Sequence, residues 1–222
     1  MVKIERSYPA PPSLAAEEER GGANYRGKDV IRQLVSDFHG KCYLCEIDKL
    51  QSVQVEHLRP HHDKSDRARL LDWDNLFLCC GHCNSVKNQA CYETDVVDCC
   101  RTDPEQILEQ QLDKSGHVCV QPRIDTPEAI VTARLLTECF ERRNTGIREI
   151  ECQTRVDELK AELAVLYKQL GQLRRGTMPE KERALRTLRG LLNREHRFAG
   201  FLRTYVRSRL EDYPELEPLV SL

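Results

Sequence analysis

Apolar residues recur three and four positions apart at Val30, Ile31, Leu34, Val35 and Phe38, which predicts a short helix ended by Gly40. Ser52-Val53-Gln54-Val55 alternates and reads as a strand within a stretch, 41–92, rich in Cys, His, Asp and Asn. Residues 93–125 are acidic and irregular, with one helix expected over Pro104–Leu112 and a Ser115-Gly116 turn before Val118-Cys119-Val120. Beyond Thr126, an N-cap followed by Pro127, the pattern is helical to the end. Ile130, Ala133, Leu136 and Phe140 line a first helix, which the Asn144-Thr145-Gly146 turn stops or kinks. Val156, Leu159, Leu163, Leu166, Leu170 and Leu173 form the seam of a coiled coil or helical hairpin. After a turn over Gly176–Pro179, a third helix is expected to carry Leu185, Leu188, Leu192, Ala199, Leu202 and Val206. Residues 1–26, with Pro9, Pro11, Pro12, an acidic run and Gly21-Gly22, read as an extended arm. The expected organisation is therefore arm 1–26, a Cys-rich domain with its linking segment over 27–125, and an α-helical docking domain over 126–222.

Composition narrows this. Of 222 residues, 40% are hydrophobic and 32% charged, too apolar for a disordered chain. No apolar run approaches membrane-spanning length, so no membrane partner is expected. Met1–Arg6 lacks the apolar core of a signal peptide, and the cytoplasm is the expected compartment. Eleven cysteines, an odd number, then point to metal ligands and free thiols rather than a disulfide scaffold. The net charge of −2 conceals segregation: from Arg174 to Arg209 eleven basic residues face three acidic ones. Such a surface suits either nucleic acid or protein docking.

Cys42-Tyr43-Leu44-Cys45 and Cys80-Gly81-His82-Cys83 are two CxxC pairs separated by 34 residues. Four thiolates in tetrahedral array suit structural Zn²⁺ and leave no open position for chemistry, although iron takes the same ligand set. Cys79 competes with Cys80, but only Cys80 completes a CxxC with Cys83. His82 lies inside the knuckle as a bystander.

Around these pairs stand Val55-Glu56-His57-Leu58-Arg59-Pro60, Trp73-Asp74-Asn75-Leu76 and Cys83-Asn84-Ser85-Val86-Lys87. In this order, framed by two CxxC pairs, they resemble the HNH nucleases of the ββα-metal class over residues 41–88. The resemblance implies an α+β chain: a small zinc-stabilised ββα-metal domain followed by an α-helical domain with a coiled-coil-like hairpin. It implies His57 as general base, Glu56 and Asn84 as ligands of a catalytic Mg²⁺ or Mn²⁺, and Asn75 as the residue fixing the loop that holds the base. Lys87, one turn past Asn84, would meet a phosphate. The chemistry is coherent, since phosphodiester hydrolysis needs a base with pKa near 7 and a hard cation on the reacting phosphate. Neighbouring Glu56 and His57 would point to opposite faces of a strand unless it ends there. Glu56 and Asn84 also stand where many members have Asp and His.

A narrower resemblance adds Asp103-Pro104-Glu105 and Ala133-Arg134-Leu135-Leu136 through Arg142-Arg143, as in HNH components of Septu-type and retron-associated antiphage defence operons. It implies DNA as substrate and an ABC- or SMC-like ATPase as partner, with the helical region docking that subunit or a second copy as a homo-oligomer. The alternative function is a zinc-finger module that binds nucleic acid or protein without cutting.

Overall fold

In a computed structural model describing residues 1–222, the first half of the chain runs α1 (Pro12–Glu19), α2 (Lys28–Asp37), β1 (Val53–His57), α3 (Arg67–Leu70), β2 (Leu76–Cys80), α4 (Gly81–Lys87) and α5 (Pro104–Ile107). There follow β3 (Leu108–Leu112), β4 (Val118–Pro122), α6 (Pro127–Glu141), α7 (Gly146–Arg175), α8 (Met178–Leu191), α9 (Ala199–Arg207) and α10 (Glu217–Val220). The chain is α+β, with two separate antiparallel two-stranded sheets, β1–β2 and β3–β4. No helix is long and apolar enough to cross a membrane.

The hairpin β1–β2 sets Val55 opposite Leu78 and His57 opposite Leu76, and α4 follows β2 directly. Beneath it Phe38 and Tyr43 pack on Phe77 at ring distances of 5.6 and 5.0 Å. Helix α2 supplies Phe38 because Val30, Leu34 and Phe38 share one buried face, and His39, left-handed at φ +52°, turns the Gly40 N–H back to the Val35 carbonyl.

Residues 1–26 differ from the extended arm expected. Pro12 opens helix α1, Met1, Val2 and Ile4 are buried, and Ile4 donates to the Cys99 carbonyl. Arg6 lies over the Trp73 and Phe77 rings at 4.7 and 5.0 Å and donates to the Trp73 and Leu76 carbonyls. Cation–π and hydrogen-bond contacts thus hold the segment against β2.

The helix expected over Pro104–Leu112 stops after one turn, and Leu108–Leu112 is strand β3. Leu108 and Gln110 alternate inward with Val118 and Val120 of β4, a pairing across the chain that overrides local helix preference. Asp113 closes the hairpin by accepting from the Ser115 and His117 amides.

The seam residues Val156 to Leu173 are buried along α7, which Thr145 caps, so the Asn144–Gly146 turn ends α6 instead of kinking it. The expected third helix is broken into α8 and α9. Lys41 draws down the Arg194 and His196 carbonyls at 2.6 and 2.9 Å, and Phe198 takes a left-handed φ of +53°. No break in the core coincides with residue 125: one apolar cluster runs from Met1 to Val220, with α6 on β4 and α4, and α9 on β3.

The C-terminal arginine excess is partly internal. Arg203 and Arg207 reach the fully buried Glu105 at 2.8 and 2.6 Å, and Arg194 joins it at 2.9 Å while bonding Asp103. Arg197 is held among Asp48, Glu158 and Glu162. What remains exposed on α8 is Arg183, Arg186 and Arg189, one helical face.

Candidate metal centre and adjoining cleft

The two CxxC pairs meet. The sulfurs of Cys42, Cys45, Cys80 and Cys83 lie within 4.8 Å of one another and are buried, a group that could hold a structural metal such as zinc. Their turns are locally built: Tyr43 N–H bonds the Leu78 carbonyl, tying the first knuckle to β2, and Cys80 caps α4 by accepting from the Cys83 amide. Burial pushes the Cys42, Cys45 and Cys83 thiols up. Hydrogen bonds from those thiols hold Cys80 far below the usual thiol range.

Arg155, a buried residue of α7, sets a guanidinium nitrogen 3.3 Å from Cys80 Sγ. The helical region therefore supplies the cation facing the Cys80 sulfur, a contact that no local pattern announces. Cys79 lies beside this group, 3.8 Å from Cys42, and is not one of the four. His82 points away and bonds the Cys139 carbonyl of α6 at 3.0 Å.

On the other strand end a cleft of about 450 Å³ collects Glu56, His57, Asn84 and Lys87, together with Tyr25 and His61–Asp63. Strand β1 ends at His57, so Glu56 and His57 line one cleft although they are neighbours. His57 Nε2 lies 3.0 Å from the Leu70 carbonyl. A carbonyl only accepts, so Nε2 carries the hydrogen and the basic lone pair is on Nδ1. Burial pushes the ring below the ordinary imidazole range, with the Leu70 carbonyl opposing, and keeps it a neutral base.

Asn75 does not enter the cleft. It is buried, accepts from the Arg59 amide at 2.7 Å and donates to the Arg59 and Arg69 carbonyls at 2.9 Å, closing the loop between His57 and β2 at both ends. Lys87 departs from expectation. It is buried, paired with Glu56 at 2.6 Å, and donates to the His57 and Leu58 carbonyls at 3.1 Å, so its ammonium is committed within the protein and not presented to a phosphate. Tyr43 O–H donates to the other Glu56 oxygen at 2.8 Å. Asn84, on the cleft face of α4 and only partly buried, lies one turn from Lys87.

Sequence pattern did not single out Tyr25 or His61. Their rings lie edge-to-face on His57 at 4.4 and 4.5 Å. The only available signal was the density of histidine after Pro60. A larger cleft of about 770 Å³ adjoins Cys80, His82 and Arg155; of its three arginines, Arg155 and Arg197 are paired with Glu151, Asp48 and Glu158, and Arg148 donates to Ser85. No protein-family model matches this chain, and neither the curated proteins nor the solved structures contain a match to it.

Proposed function

We propose that this chain is a metal-dependent endonuclease of the HNH, ββα-metal kind that hydrolyses phosphodiester bonds in DNA. The observation that carries the reading is the orientation of His57: its Nε2–H is held by the Leu70 carbonyl, which leaves the lone pair on Nδ1, and the ring lines the same cleft as Glu56 and Asn84 at a hairpin-plus-helix junction. A general base so oriented takes a proton from an attacking water without reorganising. Asn75 closes the loop that follows that base, through Arg59 and Arg69. Glu56 and Asn84 offer a carboxylate and an amide oxygen, a donor set that suits Mg²⁺ or Mn²⁺. Such an ion would polarise the reacting phosphate and stabilise the leaving oxygen. The buried Cys42, Cys45, Cys80 and Cys83 would hold zinc as framework.

The defence-complex role extends the same reading. The exposed Arg183, Arg186 and Arg189 face of α8 is where an ABC- or SMC-like ATPase would dock, and co-purification lost on charge reversal of this face would support it. A second reading, a zinc-stabilised binding module, draws on one observation: both Glu56 oxygens are already engaged, by Lys87 and Tyr43. Plasmid nicking in Mg²⁺ and Mn²⁺, with and without the partner, separates them. His57→Ala should cut turnover by about a hundredfold or more while DNA binding persists. Equal nicking by wild type and His57→Ala would refute the nuclease.

A further inference from the structure

The loop after Pro60 folds back on the proposed base. His62, Asp63 and Lys64 take φ of +45°, +53° and +68°, three successive non-glycine residues in the left-handed region. Left-handed backbone crowds a residue that carries a Cβ, and this kind of strain concentrates where a side chain must be held in one place. The turn is closed by Ser65 N–H to the His62 carbonyl and Asp66 N–H to the His61 carbonyl, at 3.0 and 3.1 Å. Its effect is to lay the His61 ring across His57, interplanar angle 88° and centroids 4.5 Å apart.

The tautomer of His61 is fixed by the same turn. The Lys64 amide donates to His61 Nδ1 at 3.0 Å, and an amide only donates. Nδ1 therefore keeps its lone pair and Nε2 carries the hydrogen. That Nε2–H has no partner in the protein, and the ring lines the cleft shared by Glu56, His57 and Asn84. The two histidines are thus arranged oppositely: His57 spends its Nε2–H on a backbone carbonyl and presents a base, whereas His61 spends its Nδ1 lone pair on a backbone amide and presents a donor.

Resting on the nuclease reading, we propose that His61 is a second substrate-contacting residue, its Nε2–H donating to a non-bridging oxygen of the phosphate attacked by the water that His57 activates. The expected ligand is a phosphodiester, whose non-bridging oxygens gain negative charge as the water adds. A fixed donor aimed there stabilises the transition state more than the ground state. This also gives the cleft a donor that Lys87, committed to Glu56, does not provide.

Three variants in a plasmid-nicking assay with Mg²⁺ test the proposal, run beside His57→Ala. His61→Phe keeps the edge-to-face ring but loses the donor, His61→Gln keeps an N–H near the Nε2 position, and His61→Ala removes both. The expected result is that kcat falls at least tenfold in His61→Phe and His61→Ala, with His61→Gln recovering most of it and KM little changed. Wild-type rate in His61→Phe would show that the ring only packs, and would overturn the proposal. If His57→Ala is inactive while His61→Phe and His61→Ala cleave normally, the nuclease stands and the His61 role falls. If wild type and His57→Ala nick equally, both fall. Should His61→Ala fail to fold, the Phe and Gln variants decide the question alone.

Discussion

The Lys87 ammonium lies 2.6 Å from a carboxylate oxygen of Glu56, with each side chain only 6% exposed. Two more acceptors, the His57 and Leu58 carbonyls, complete the ammonium, so one lysine of α4 clasps the end of β1 where the proposed base is carried. Removing the cation strands a buried carboxylate, which costs about 3–5 kcal/mol. Lys87→Met should therefore lower the denaturant midpoint by that equivalent, measured by urea unfolding. A Glu56→Gln, Lys87→Met double variant, with neither charge left, should recover much of the loss.

The thiol cluster and Arg155 form a second linked pair. Purified protein should hold about one zinc per chain by elemental analysis, and Cys42→Ser with Cys83→Ser should lose it together with the fold of the hairpin. Because Arg155 bonds Cys80 from the helical region, Arg155→Met should weaken zinc retention about ten- to a hundredfold in a chelator competition. Unchanged zinc affinity in that variant would remove Arg155 from the metal site.

Glu105 gathers Arg194, Arg203 and Arg207 in the interior. Burial raises its carboxyl, but Arg203 and Arg207 outweigh that and hold it below the ordinary carboxylate range. A carboxyl depressed in the folded state stabilises the fold above the unfolded pKa, near 4.3, and that stabilisation is lost as pH falls through the folded value. Wild type should lose stability steeply below about pH 4.3, whereas Glu105→Gln should be weaker at neutral pH by about 3–5 kcal/mol and show a shallower acid slope in thermal melts.

His57, depressed by burial, should remain the neutral base at pH 7. The acid limb of kcat/KM should then fall below pH 6.5, the unperturbed imidazole value, since the folded ring takes up its proton only at lower pH. An acid limb centred above 6.5 would contradict the burial seen here.

Much of the chain was legible as sequence because the relevant signals are local. A CxxC pair is a single tight turn, so its sulfurs converge wherever it folds, and the spacing of Cys42, Cys45, Cys80 and Cys83 announced one metal site that the structure assembles as a thiol cluster. Helix faces are equally local: the seam from Val156 to Leu173 of α7, and Val30 and Leu34 of α2 with its capping Phe38, follow from 3.6-residue periodicity, whereas Val35 of the same apolar run is exposed.

Tertiary structure decided what depends on partners far along the chain. Leu108–Leu112 carries residues acceptable in a helix, and its hairpin with Val118–Pro122 is packed from far along the chain by α9. Lys87 and the arginines at 194, 203 and 207 look like surface cations in one dimension, yet fold inward because Glu56 and Glu105 are brought beneath them. The same holds for the cleft: Tyr25 reaches His57 only through the packing of the N-terminal segment, and His61 only through a left-handed turn. Sequence by itself determined the thiol framework and the helix faces, which depend on nearest-neighbour geometry. Which charges are buried, and which rings surround His57, was decided by long-range pairing, because desolvation and orientation exist only once separate segments close on one another.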